Sequence, residues 1–414
     1  MEKASQSKNT EGGGILSTYQ MLTLYLPAFV LALGHSIATP VIPVFAKSFD
    51  TSFGVASLVI VVHAFGGLIA AVPTGFLLDR LGRRPILFAG PLLMAASSFL
   101  TALARSFSEL LVYRLVGGFA MEMWRQARLA VIADVGKSGH RGRQISGMVS
   151  TEGAGRLLGP ALGGFLAIWS IRVPFFVHGA LALLAIAPSF FLLRESVPLQ
   201  SRAHSANEDD HLSTRALLGL IVHGGYLGFF CAQFFASMTR GVLWGGTLLL
   251  YATFVYNVGP EVLGGLATTS SIIGIPITLS CGYLMDRFGR KTTMVPGFTA
   301  IALALIFISS SAQWHWSLTS FIAGFLWVQA SHSVTSGSMQ VVGSDMAPAA
   351  ARGRFFGFWR LIGEIGGLVS PALFALVAEK IAYSAAFALF ALCALATATL
   401  LSFSVKETVA RGAS

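Results

Sequence analysis

Charge is what this chain has least of. Only 11% of its 414 residues are Asp, Glu, Lys or Arg, against about a quarter in soluble domains, which excludes an ordinary soluble globule. Cysteine is almost as scarce. Cys231, Cys281 and Cys393 sit in apolar stretches at unrelated spacings, so neither a disulfide framework nor a zinc site is expected. No phosphate-binding loop and no catalytic constellation is present, which argues against an ATP-driven pump, an enzyme or a bound cofactor or metal. A cleaved signal peptide is not expected either, because residues 1–15 are polar and Gly-rich and no short apolar core with a small-residue cleavage site follows them.

What fills the chain is apolar sequence. The hydrophobic share is 54% and the mean hydropathy +0.72, the composition of a bilayer protein. A span needs about 20 mainly apolar residues, and twelve can be placed, near 19–46, 55–78, 85–104, 108–133, 144–168, 173–193, 227–256, 261–285, 292–312, 317–343, 355–379 and 382–404. The apolar run 216–257 is too long for one helix and is broken here at Gly224-Gly225. Basic residues set the orientation. With the N-terminus inside, 18 Lys and Arg fall in cytoplasmic segments and four (Lys47, Arg105, Arg172, Lys380) in outer loops. The net charge of +10 is thus explained by topology; the basic residues lie between spans and form no soluble nucleic-acid face.

One stretch occurs twice. Gly75-Phe-Leu-Leu-Asp79-Arg80-Leu-Gly82-Arg83-Arg84 is answered by Gly282-Tyr-Leu-Met-Asp286-Arg287-Phe-Gly289-Arg290-Lys291. Further echoes pair Arg141-Gly-Arg143 with Arg352-Gly-Arg354, and Gly159-Pro160 with Ser370-Pro371. Two homologous halves follow, giving a polar tail at 1–15, an N-terminal six-helix bundle at 16–193, a cytoplasmic linker at 194–215 and a C-terminal six-helix bundle at 216–414. The expected fold is all-α, with twelve membrane helices in two pseudo-symmetric bundles and both termini cytoplasmic.

The doubled motif after spans two and eight resembles that of the major facilitator superfamily. Gly155-Arg-Leu-Leu-Gly159-Pro160-Ala-Leu-Gly163-Gly164 in span five is similar to the signature of the twelve-helix drug/proton antiporters, and Arg114-Leu-Val-Gly-Gly118 in span four fits the same resemblance. The resemblance implies two bundles rocking about a central site. Asp79 and Asp286 would dock on the positive starts of spans eleven and five. Arg80, Arg83, Arg287 and Arg290 would bridge to Asp134 or Asp345, with Gly75 and Gly282 allowing close approach; alternatively, these basic turns only set topology. Gly155, Gly159 and Gly163 share one helix face beside Pro160, suited either to an interface between the halves or to simple helix packing.

Six cations remain inside the spans: Arg114, Arg125, Arg128, Arg156, Arg240 and Arg360. Each would cost about 2.5–3.5 kcal/mol at the bilayer centre, so none should face lipid. Arg114, Gly118, Arg125 and Arg128 read as one stripe of span four, with Glu122 at its edge and Trp124 flanking it. Glu122 can reach Arg125, Glu152 can reach Arg156, and Arg360 can reach Glu364 along their own helices. Six cations against three carboxylates give a surplus that favours an anionic or carboxylate-bearing substrate; alternatively Arg128, Glu152 and Arg360 belong to the cytoplasmic latch. Glu122 and Glu364, then Glu152, are the proton-carrying candidates, and His35 and His178 could titrate. Span one lacks the acidic residue of many proton-coupled relatives, and Glu122, Trp124, Arg125 and Arg128 depart from their pattern. Further cavity candidates are Gln233, Trp244, Trp327, Gln329, His332 and Gln340, with Gln329 and His332 ahead of the serines around them.

The expected function is proton-coupled export of small amphiphilic or anionic compounds by a monomer in the plasma (inner) membrane. The partners are a small molecule, protons and the lipid bilayer, with no nucleic acid. Import by a symporter or uniporter, and a non-transporting sensor or lipid-handling protein, are the alternatives.

Overall fold

The computed structural model describes residues 24–135, 141–192, 226–244, 246–347 and 352–404. The expected tail, the linker and the Gly224-Gly225 break lie outside these residues, as do the side chains of Asp134, Asp286 and Asp345. Among the described residues the regular structure is helical. A chain that cannot hydrogen-bond to lipid must satisfy its backbone within each segment, and helices do so.

Nine spans are single helices: two (Phe53–Leu81), three (Arg83–Leu103), four (Phe107–Val135), five (Arg141–Ala167), six (Val173–Leu192), eight (Pro260–Phe288), nine (Arg290–Gln313), eleven (Arg352–Lys380) and twelve (Tyr383–Ser404). Three that were expected to be continuous are broken. Span one is Leu26–Ala38 plus Ile42–Lys47, interrupted where Pro40 lacks an N–H and the Thr39 hydroxyl donates to the His35 carbonyl at 2.9 Å. Span seven is Leu227–Trp244 plus Thr247–Tyr256, and span ten Leu318–Thr335 plus Ser338–Met346. These breaks fall at Gly246 (φ 84°) and Gly337 (φ 77°), left-handed positions that glycine occupies at least cost. Prolines inside spans two and eight (Pro73, Pro276), three and nine (Pro91, Pro296) and five and eleven (Pro160, Pro371) repeat the internal symmetry.

The doubled motif gains a local explanation. Gly82 (φ 85°) and Gly289 (φ 100°) are the residues between consecutive helices. Their extended-ψ, positive-φ backbone is open to glycine and strained for other residues. It lets spans three and nine start directly after spans two and eight. Gly75 and Gly282, expected to admit a neighbouring helix, have nothing among the described residues within 4 Å of where a Cβ would stand. In this conformation they make no close contact with any described residue.

Within the N-terminal half, span one packs on five and six, span four on two and three, and span three on six; in the C-terminal half, span seven packs on eleven and twelve, and span nine on ten and twelve. The halves meet where span five faces eight and span two faces eleven. The glycine face of span five is spent inside its own half. A Cβ on Gly155 would stand 2.8 Å from the Leu33 nitrogen and the Phe29 oxygen, and one on Gly159 2.9 Å from the Leu33 oxygen. Gly163 likewise abuts the Ile37 backbone. The neighbour in sequence, Gly164, faces the other half, where a Cβ would lie 2.7 Å from the Pro260 oxygen, and Gly264 returns the contact against Pro160.

At one end of the molecule the halves are sealed. Phe53 packs edge-on against Phe254 (5.7 Å) and Tyr383 (5.0 Å). The Ser52 hydroxyl donates to Glu379 at 2.8 Å, and Lys47 donates to Asn257 Oδ1 at 2.5 Å and to the Thr253 carbonyl at 2.8 Å. The apolar core of the C-terminal half therefore runs without a break into Phe45 and Phe53 of the N-terminal half. The doubled motif lies at the opposite end.

Gly289→Ala should lower stability by about 1–3 kcal/mol, read as a reduced melting temperature of the purified protein in detergent. An unchanged melting temperature would show that the turn accommodates a side chain.

Candidate functional site

Between the halves lies a cavity of about 260 Å³. Span two lines it with Ile60 and Leu68, span seven with Gly241 and Trp244, and span eleven with Glu364 and Pro371. Among the described residues this is an apolar wall with one indole and one carboxylate, the usual make-up of a small-molecule site. Trp244 is 60% exposed, which in a span means that it borders the cavity or lipid. Its ring meets His332 edge-on at 6.1 Å, and Arg156 of span five lies over it at 5.8 Å.

Among the described residues, the charges within the spans fall mainly into two networks and one outlier. Glu122, 7% exposed, is the centre of the first. It accepts from Arg125 Nε at 2.7 Å and from Gln126 Nε2 at 2.8 Å. It also lies 3.7 Å from Arg360, which reaches across from the other half and stands 3.7 Å from Glu364. Arg240 is within electrostatic reach of Glu364. The second network is centred on Glu152, paired with Arg128 and with Arg156 at 3.4 Å, while Arg128 lies over the Trp124 ring at 4.2 Å. The outlier is Arg114. It lines a space with His35, His63 and His178, and its Nε is buried without a hydrogen-bond partner among the described residues.

The expected same-helix pairs Glu122–Arg125, Glu152–Arg156 and Arg360–Glu364 all form. Two others were invisible at helical spacing: Arg128–Glu152, between spans four and five, and Arg360–Glu122, between the halves. The stripe on span four is not one cationic surface. Arg114 turns into the N-terminal half, Arg128 is buried on Trp124, and Arg125 stays with Glu122.

Other candidates also move. Gln233 is buried and donates to the Ser237 hydroxyl at 3.3 Å, against Gly363 rather than in the cavity. Trp327 packs on Phe307. Gln329 is half-buried on span ten, one turn from His332, and Gln340 is exposed. His63 was missed altogether, because a single histidine in an apolar run carries no spacing signal. In the doubled motif, Arg287 donates to the Tyr283 hydroxyl at 3.0 Å, Lys291 to the Ser402 carbonyl, and Arg83 is buried.

Two repeats of six helices, joined at a central cavity, correspond to a match in sequence. The family model described as Major Facilitator Superfamily matches twice, over residues 24–231 and 229–413. The chain belongs to the major facilitator superfamily. It is a membrane transporter of small molecules, and its family is not one of enzymes. The transporter is 25% identical over 380 residues to the Quinolone resistance protein NorA of Staphylococcus aureus (strain Mu50 / ATCC 700699), covering 88% of this chain and 92% of that protein. It is 26% identical over 298 residues to Multidrug resistance protein 2 of Bacillus subtilis (strain 168), covering 68% and 74%. In structure it is similar to the inward open conformation of the xylose transporter XylE from E. coli, with a TM-score of 0.73 and 18% identity over 94% of this chain and 97% of that one.

Glu122→Gln takes the anion from Arg125 and leaves Arg360 with Glu364 alone, and because both arginines are partly exposed it should cost only about 1 kcal/mol. Adding Arg360→Gln should restore part of that loss. A double-mutant cycle on unfolding checks this, and strict additivity would show that the link between the halves contributes nothing.

Proposed function

We propose that this transporter exports small amphiphilic or anionic compounds in exchange for protons, by alternating access. The cavity beside Trp244 and Glu364 carries the reading. Its apolar lining suits an amphiphile. Its one carboxylate is matched by Arg360 at 3.7 Å, so the six arginines keep their surplus over Glu122, Glu152 and Glu364, and a cationic cargo gains little. The quinolone- and multidrug-resistance names of the relatives support export of such compounds.

The basic loops support cytoplasmic termini and a plasma-membrane location, with a single chain in the bilayer as the working unit. On that orientation, the end sealed by Lys47, Ser52 and Phe53 faces outward and the site opens inward. The doubled motif then acts in the other state. Asp79 would dock on span eleven and Asp286 on span five to close the cytoplasmic side, taking up the space beside Gly75 and Gly282. Residues 16–193 and 216–414 would rock as units about the 194–215 linker.

Inside-out proteoliposomes with an acidic lumen test the proposal. Norfloxacin, fluorescein as the anion and ethidium as the cation are offered in turn. The expected result is accumulation of norfloxacin and fluorescein that collapses with an uncoupler, with Arg114→Ala and Glu364→Gln each reducing it at least tenfold. Preference for ethidium would overturn the cavity-charge argument. Proton-driven movement of substrate out of the lumen would make the protein an importer, and binding without flux a sensor.

A further inference from the structure

A second, polar chamber lies inside the N-terminal half and shares no lining residue with the Trp244 cavity. His35 of span one, His63 of span two and His178 of span six converge there, with ring centroids 5.8 Å apart for His35–His63 and 6.0 Å for His35–His178. Span three contributes Ser97, Ser98 and Thr101, and span four the Arg114 guanidinium. At their centre is a space of about 10 Å³, close to the room that one water molecule needs.

The hydrogen bonds leave specific atoms free. His63 Nδ1 lies 3.1 Å from the Arg114 carbonyl; since a carbonyl can only accept, Nδ1 carries the hydrogen and Nε2 is the basic nitrogen. His178 Nδ1 is 2.9 Å from the Ser98 hydroxyl. Its Nε2 is buried with no partner among the described residues, on a side chain 5% exposed. Arg114 Nε is unsatisfied as well. Buried polar atoms without partners are costly, so this cluster is poorly explained as packing.

Among the described residues no carboxylate lines the chamber, and no group of three or more His, Cys, Asp or Glu side chains is placed to hold a metal ion. Imidazole is the side chain whose ordinary titration falls near neutral pH. His35, His63 and Arg114 are only partly buried, so water can reach the edge of the cluster.

We propose that His35, His63 and His178 form the proton-binding site of this transporter, in place of an acidic residue in span one, with Arg114 as the positioning residue. The proton arrives from water at a free Nε2 and leaves the same way, with no other bond made or broken. Arg114 holds His63 through its carbonyl and repels a second positive charge through its guanidinium. Arg156 of span five adds to that field at His35, and span three presents only uncharged groups. Movement of span four at Arg114 therefore changes both influences together, which couples occupancy by a proton to conformation. This rests on the proton-coupled reading above.

The test uses the full chain in proteoliposomes with norfloxacin as the probe, comparing accumulation driven by a pH gradient with norfloxacin/norfloxacin counterflow at equal pH. The variants are His63→Gln, His178→Gln and the triple His35→Gln/His63→Gln/His178→Gln, with Ser98→Ala as the mildest change. In the triple variant, pH-driven accumulation should fall at least tenfold while counterflow stays within twofold, and norfloxacin-induced proton release should vanish. Ser98→Ala should move the pH profile of accumulation without changing counterflow. Wild-type accumulation in the triple variant would overturn the histidine site alone. Equal loss of counterflow in every histidine variant would show a packing role and overturn it too. Wild-type protein that exchanges norfloxacin but ignores the pH gradient would overturn proton coupling itself, and the histidine site with it.

Discussion

A guanidinium in a bilayer must be paired or kept wet, and this transporter is arranged around six of them. Glu122 and Glu152 serve two arginines each, with Arg125 and Arg360 on the first and Arg128 and Arg156 on the second. Because Arg360 belongs to span eleven and Glu122 to span four, satisfying the charges also ties one half to the other. The cost of burying charge thus becomes a constraint on how the halves sit. Backbone approach does comparable work on the apolar side, where Gly164 and Gly264 bring spans five and eight together.

Much of this was legible in the sequence. Hydropathy located the spans because lipid imposes a length and a composition on each, and the doubled Gly75–Arg84 pattern exposed two halves because both copies solve the same turn. The role of Gly82 and Gly289 was not legible: a motif shows that glycine recurs, while only a backbone angle shows which glycine the chain cannot replace. The four-residue spacing of Gly155, Gly159 and Gly163 placed them on one helix face but could not name its partner, which is span one.

Charge pairing divides the same way. Partners three or four residues apart could be read from helical periodicity, and they formed. Arg128–Glu152 and Arg360–Glu122 depend on which helices are neighbours, information that a single sequence does not carry. The histidines are the clearest case. His35, His63 and His178 lie on three helices with no common spacing, and the one available signal was that three apolar spans of one half each carry a lone imidazole.

The seal around Phe53 has an energetic consequence. Phe53, Phe254, Tyr383 and Phe374 form a continuous aromatic plug that merges the core of one half into the other. Parting it would wet that apolar area, at about 25 cal/mol for each Å². A protein that visits both states at ambient temperature can tolerate a difference of only a few kcal/mol between them. On the alternating-access proposal, surface lost at the plug would be recovered at the far end. The doubled motif around Gly75 and Gly282 is where the proposed latch would supply that recovery, making the two ends counterweights of a single balance.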